Sequence, residues 1–188
     1  MSIIRGMHDE IYYSSPLINR EDSRTLAIVI EKIDEGQLIA AELSCDRIQE
    51  IYAKNIGYLI ISLMYISKFN ITHAKTLLAK ASTSTIPSSG VEDANSFVAA
   101  TLTEAESLLK AGNFERFSPW WPDFRPSGFG DKLRTHHPLL QRALRECVLQ
   151  FNLNIQAAQE YNDAVIRAKN SLSATATASA IENRESRP

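Results

Sequence analysis

The sequence predicts an all-α fold, an antiparallel helical bundle of about five helices in which two helices are long. Apolar residues recur every three or four positions over two extended stretches, and no strand-like alternation continues beyond four residues. A chain of 188 residues can bury roughly 70% of the surface of its unfolded state, which is enough for a core without metals or disulfides. We expect a bundle domain over 22–172, after an extended arm (1–21) and before a flexible tail (173–188).

Three shorter helices are predicted from their apolar stripes, near 22–35, 71–82 and 92–111. The first follows capping residues and stops at Gly36, a residue suited to the left-handed conformation that ends many helices. Asn70 can cap the second helix, and Gly112 follows the third as a stop signal.

The first long helix is predicted over 37–69. Its apolar seam steps by three or four through Leu38, Ala41, Cys45, Ile48, Tyr52, Asn55, Leu59, Ser62, Ile66 and Phe69. A helix with such a seam over about 30 residues is roughly 45 Å long. Its second half is apolar nearly all round, so we expect it at the centre of the bundle.

The second long helix is predicted over 138–172, with Pro138 at its first position, where a missing N–H is harmless. Its seam consists of Leu140, Leu144, Val148, Phe151, Ile155, Ala158, Asn162, Val165, Lys169 and Leu172. A 35-residue helix spans about 52 Å, more than the width of a domain of this size, so we expect it to project. Asn55 and Asn162 lie on the two seams, where an Asn either fixes the helix register or marks a wet edge.

Aromatic residues concentrate in a non-periodic segment, 113–137, which also carries prolines, glycines and Arg125. The aromatic residues are Phe114, Phe117, Trp120, Trp121, Phe124 and Phe129. Three interpretations stay open: a structural plug over the end of the bundle, a surface for a protein partner, or a pocket for a ligand or single-stranded nucleic acid.

Charge and cysteine content restrict the class of protein. The net charge of −2 argues against a protein that wraps nucleic acid, although residues 113–145 carry a net +3 and residues 1–50 a net −5. Cys45 and Cys147 lack metal-ligand spacing and lie on apolar seams, where they serve as small apolar residues. No signal peptide and no 20-residue apolar span is found, so we expect a cytoplasmic protein.

Acidic residues on two consecutive helical stretches suggest an alternative, a magnesium-dependent nucleotide phosphohydrolase. They are Glu31, Asp34, Glu35, Glu42 and Asp46. Carboxylates can hold magnesium for phosphate chemistry, but the all-α nucleotide pyrophosphatases need tightly paired acids on each helix. Here Glu42 and Asp46 form one loose pair, and a solvated acidic face is the other interpretation.

The sequence therefore predicts a non-enzymatic protein–protein interaction module, such as an adaptor, chaperone, inhibitor or structural component. We expect a protein partner or a second copy to bind the long C-terminal helix and the aromatic segment. No cofactor, metal site, catalytic residue or nucleic-acid partner is expected. The predicted partner-binding residues are Phe114, Phe117, Trp120, Trp121, Phe124, Arg125, Phe129, Phe151, Ile155, Asn162 and Val165.

Overall fold

The computed structural model describes residues 20–82, 89–111 and 138–185, and within them the chain forms six helices and no strand. The helices are α1 (Arg20–Asp34), α2 (Leu38–Cys45), α3 (Ile51–Ser67), α4 (Ile71–Ser82), α5 (Ser89–Ala111) and α6 (Pro138–Glu185). The predicted all-α class is confirmed. The arm, most of the connector between α4 and α5, and the aromatic segment lie outside the described residues, and the predicted domain boundaries stay predictions.

Helix α1 follows its sequence signals closely. Two acidic residues, Glu21 and Asp22, lie in its first turn. Their negative charges interact favourably with the positive end of the helix dipole. The helix ends at a left-handed glycine, since Gly36 has φ 74°. The amide of Gly36 donates to the carbonyl of Ile33 and that of Gln37 to the carbonyl of Lys32, a Schellman arrangement. The predicted glycine stop is confirmed.

The prediction of one continuous helix over 37–69 is wrong, because the chain breaks between Cys45 and Ile51 into α2 and α3. The buried Asp22 carboxylate accepts hydrogen bonds from the amides of Gln49 and Glu50, both at 3.0 Å. These bonds satisfy backbone donors that a continuous helix would have bonded within itself.

A second set of hydrogen bonds starts α3 directly after the break. The Glu50 side chain accepts from the amide of Tyr52 at 3.0 Å and from that of Ala53 at 2.6 Å. A carboxylate at this position caps the helix and offsets the loss of the continuous hydrogen-bond ladder. The seam residues Cys45, before the break, and Ile48, within it, are still fully buried, so the apolar spacing predicts their burial correctly but not the continuity of the helix.

Helix α3 is the centre of the fold, as predicted. Fourteen of its 17 residues are buried, and it packs against α1, α2, α4, α5 and α6. Helix α2 approaches α3 closely at Gly57, where a Cβ atom would lie 2.5 Å from Cys45 Sγ. Only glycine allows α2 to pack this close to α3 without displacing that sulfur.

The turn between α3 and α4 brings the chain back along the core. Phe69 has φ 64°, and the amides of Phe69 and Asn70 donate to the carbonyls of Ile66 and Tyr65. This is the same Schellman arrangement as at Gly36, here with a phenylalanine in the left-handed conformation. The Asn70 side chain accepts from the amide of His73 at 3.2 Å, which confirms the predicted cap of α4.

Helices α4 and α5 cover one side of α3 and pack against each other. Ala74, Leu77 and Ala81 are the buried residues of α4. Glu106 of α5 forms ion pairs with Lys75 of α4 and with Lys110. The α5 core face contains Ala94, Phe97, Val98, Thr101, Leu102 and Ala105. Helix α5 begins at Ser89, three residues before the predicted start near residue 92.

Candidate interaction surface

Helix α6 extends to Glu185, well beyond the predicted end at Leu172, and α3 is the only described helix that it packs against. Its contact face is buried through Ile155, and no residue from 156 to 171 is buried. The buried residues are Leu139, Leu140, Ala143, Leu144, Cys147, Phe151 and Ile155. The first part of α6 is therefore an integral part of the core.

Two residues predicted to bind a partner, Phe151 and Ile155, belong to this core. Phe151 is fully buried, and its ring meets that of Phe69 edge to face, with centroids 4.9 Å apart. Beside them, the Asn154 side-chain amide donates to the carbonyl of Ser67 at 2.8 Å. Because these side chains already pack within the chain, we correct their assignment: Phe151 and Ile155 hold α6 on α3, and any surface for a partner must use other residues.

Beyond Ile155 the environment of α6 changes. None of the side chains of residues 156–171, here called the exposed segment, is buried. Tyr161 is 70% exposed and Ile166 is 55% exposed. Of the two predicted partner residues here, Asn162 is exposed and Val165 is half-buried. The apolar residues of this segment thus lack the cover that α3 gives to the first part of the helix.

The spacing shows that the exposed segment continues the core face. Ala158, Asn162 and Val165 follow Ile155 at intervals of three and four, so they lie on the side of α6 that contacts α3. Tyr161 and Ile166 flank this row on its two sides, one position from Asn162 and Val165 respectively. The result is a partly apolar face, broken by Asn162 and Lys169, that extends past the end of the core.

A second apolar surface of α6 is formed by Leu149 and Leu153, which precede the core residues Phe151 and Ile155 by two positions each. These leucines are 52% and 49% exposed. An offset of two residues is about 200° around a helix, so they lie opposite Phe151 and Ile155 and away from α3. A hollow of about 570 Å³ runs beside them, and its described lining residues all belong to α6, from Arg145 to Gln159.

A smaller apolar surface lies on α2. Ile39 is 72% exposed and Leu43 is 59% exposed, and both line a shallow hollow with Tyr65 and Lys68. This surface was not predicted, because α2 was expected to be part of one longer central helix. Its signal in the sequence is the position of Ile39 and Leu43 between the seam residues, away from the buried side of α2.

Of the five acidic residues proposed for magnesium, two, Glu42 and Asp46, are engaged in contacts between helices. Glu42 of α2 accepts a hydrogen bond from Lys80 Nζ at 2.7 Å and lies 2.9 Å from His73 Nε2, both on α4. Partial burial favours a higher pKa for Glu42, but the hydrogen bonds from Lys80 and His73 outweigh it and lower the pKa below its usual value. Glu42 is therefore ionised and paired.

Asp46 accepts a hydrogen bond from the Tyr58 hydroxyl. Burial, together with this bond and the Asp46 charge, raises the pKa of Tyr58, so Tyr58 stays protonated and donates. Among the described residues no group of three His, Cys, Asp or Glu side chains could hold a metal ion. The arrangement stabilises α2 against α3 and α4.

Both cysteines are free and fully buried, as their seam positions predict. Burial raises the pKa of Cys45 to about 12, and burial also raises that of Cys147. Each is therefore a neutral thiol at neutral pH, and a buried neutral thiol is unreactive because the thiolate is the nucleophile.

The remaining predicted partner residues lie in the aromatic segment, outside the described residues, and stay predictions. They are Phe114, Phe117, Trp120, Trp121, Phe124, Arg125 and Phe129. Within the described ranges, no helix combines the length and apolar character that a membrane crossing requires. No family model, curated protein or solved structure matches the chain. Its function must therefore be inferred from its own surfaces.

Proposed function

We propose that the chain is a non-enzymatic protein–protein interaction module whose exposed segment binds a helix of a protein partner. The observation that carries the proposal is the continuation of the core face of α6 beyond Ile155. On the side where α3 covers the first part of the helix, Val165, Tyr161 and Ile166 remain accessible. A partner helix placed where α3 ends would cover them in the way that α3 covers Phe151.

The physical chemistry of an isolated helix supports this proposal. A helix without tertiary packing is marginally stable in water, since most helical stability in proteins comes from burial of an apolar face. The exposed segment makes local contacts such as the hydrogen bond from Gln156 to Glu160 at 3.0 Å. Burial of Tyr161 and Ile166 by a partner would add the stabilisation that the first part of α6 obtains from α3, and tyrosine is a frequent anchor in interfaces.

The experiment compares two aspartate substitutions on α6 in the full-length chain, expressed with an affinity tag in its host. Ile166→Asp alters the exposed segment, and Leu153→Asp is the matched control on the opposite face. We expect a co-purifying protein whose yield falls about tenfold or more in Ile166→Asp, because loss of an interface anchor costs about 2 kcal/mol. The yield should be retained in Leu153→Asp.

Both substituted side chains are about half exposed, so both variants should show the far-ultraviolet circular dichroism and thermal unfolding of the unsubstituted chain. A partner that binds Ile166→Asp and the unsubstituted chain equally well would contradict the proposal. The magnesium phosphohydrolase and nucleic-acid alternatives have no supporting observation in the described residues.

A further inference from the structure

The face of α6 opposite α3 carries four residues that are placed at equal sequence distances before and after Phe151. Leu149 and Leu153 lie two positions before and after Phe151, and Arg142 and Glu160 lie nine positions before and after it. The four share one face, because their successive spacings of seven, four and seven residues match whole turns of the helix. This row, Arg142, Leu149, Leu153 and Glu160, is here called the outward stripe.

The symmetry of the outward stripe has a consequence for pairing. When two α6 helices lie antiparallel and a twofold axis passes beside Phe151, Leu149 of each copy meets Leu153 of the other. Arg142 of each copy then meets Glu160 of the other, on the same side of the interface. A twofold contact requires a self-complementary surface, and here both the apolar and the charged positions fulfil that requirement.

We infer that the outward stripe binds a second copy of this chain through an antiparallel pair of α6 helices. The contact lies on the opposite side of α6 from α3, so the α3 helices lie on the outer sides of the pair and do not obstruct it. Glu160 lies within the exposed segment, but the outward stripe is on the other side of α6 from Val165 and Ile166, so its pairing does not depend on the proposed function.

The expected complex is a dimer that dissociates on dilution. The contact from Arg142 to Glu160 is a single helix pair about 28 Å long, which places it among the smaller specific interfaces. The two Arg142–Glu160 pairs are surface pairs that salt weakens, so they select the antiparallel orientation more than they add affinity. The four leucines supply the apolar burial.

The first test is sedimentation equilibrium of the full-length chain over a concentration series. We expect a monomer–dimer equilibrium whose dissociation constant rises about tenfold or more in Leu153→Asp, because a charge then lies in the apolar centre of the interface. Ile166→Asp is the matched control and should leave the dissociation constant unchanged. A chain that stays monomeric up to its solubility limit would overturn the inference.

The second test exchanges the charges. Arg142→Glu and Glu160→Arg should each weaken the dimer about tenfold at low salt, since two attractive pairs become two repulsive ones. The double variant Arg142→Glu with Glu160→Arg should restore the original dissociation constant. Absence of this rescue would rule out the antiparallel register.

The two inferences fail in different ways. A dimer that is lost in Ile166→Asp and kept in Leu153→Asp would overturn the outward stripe and leave the exposed segment as the interaction site. A dimer lost only in Leu153→Asp, together with no partner sensitive to Ile166→Asp, would support the outward stripe and contradict the proposed function.

Discussion

Helices α3 and α6 share the same apolar spacing of three and four residues, yet their surroundings differ. All five of the other described helices contact α3, and 14 of its 17 residues are buried. Helix α6 packs on α3 alone among the described helices, and none of its residues from 156 to 171 is buried. The comparison shows that a seam identifies side chains suited to burial, whereas the neighbouring elements decide which of them are buried.

The largest expected effect separates the two parts of α6. Phe151→Ala should lower the free energy of unfolding by about 3–5 kcal/mol, because it leaves a cavity against Phe69 in a fully packed core. Ile166→Ala, on the exposed segment, should change it by less than about 0.5 kcal/mol. Urea unfolding followed by circular dichroism measures both values. Equal losses in the two variants would show that the exposed segment is packed in the monomer.

A smaller effect tests the close packing of α3. Gly57→Ala gains about 1 kcal/mol of helix propensity, but its Cβ would lie 2.5 Å from Cys45 Sγ, an overpacking that costs about 1–3 kcal/mol. The single variant should therefore be less stable than the unsubstituted chain.

The control for this prediction removes the sulfur. In a Cys45→Ala background the nearest remaining neighbours of the new Cβ are ordinary contacts, such as Leu26 at 3.7 Å. Gly57→Ala should then stabilise the chain, a reversal of sign that thermal unfolding can detect. A destabilising effect of equal size in both backgrounds would show that something other than Cys45 limits the space at Gly57.

The two seam asparagines should respond differently to the same substitution. Asn55 of α3 is buried, with 3% of its surface exposed, so Asn55→Ala should cost about 1–3 kcal/mol through the loss of buried hydrogen bonding. Asn162 is exposed, and Asn162→Ala should stay within about 0.5 kcal/mol. Chemical denaturation of both variants measures the two changes in unfolding free energy. Similar changes at both positions would contradict the expectation that burial determines the contribution of a seam Asn.

The smallest expected effect concerns pH and the polar contacts beside α3. The pKa of Glu42 is lowered in the folded chain below its ordinary value of 4.5. The hydrogen bonds that Lys80 and His73 make to the ionised carboxylate therefore add stability above pH 4.5, and this stability is lost as the pH falls below 4.5 through the folded pKa of Glu42.

The measurement for this prediction is the difference in unfolding free energy between the unsubstituted chain and Glu42→Gln. Because His73 and Lys80 are more than one-third exposed, solvent screening should keep this difference below about 1 kcal/mol at neutral pH. The difference should shrink on acidification below pH 4.5. Glu31→Gln, at an exposed position of α1, is the control, and a difference independent of pH would exclude the ion pairs as its source.

Much of the fold could be predicted from local signals. The stop at Gly36, the cap at Asn70 and the start of α6 at Pro138 depend on the conformational preferences of single residues and their immediate neighbours. The break after Cys45 could not be predicted, because it depends on the carboxylate of Asp22, 27 residues from Gln49 in the chain.

The candidate surfaces divide in the same way. The sequence predicted that the long C-terminal helix projects beyond the body of the domain with its apolar seam. It also predicted Val165 as part of the exposed portion of that seam. It assigned Phe151 to the same surface, since residues of one seam look alike in the sequence. Only the position of α3, which ends beside Asn154, separates the covered part of the seam from the exposed segment.

The sequence by itself determined the helical class, the ends set by Gly36 and Asn70, and the residues suited to burial, because these follow from backbone preferences and apolar spacing within one helix. The tertiary structure decided where α3 begins, which face of α6 is covered and which residues the Glu42 carboxylate contacts. Those features depend on residues that are distant in the chain and meet only when the helices pack.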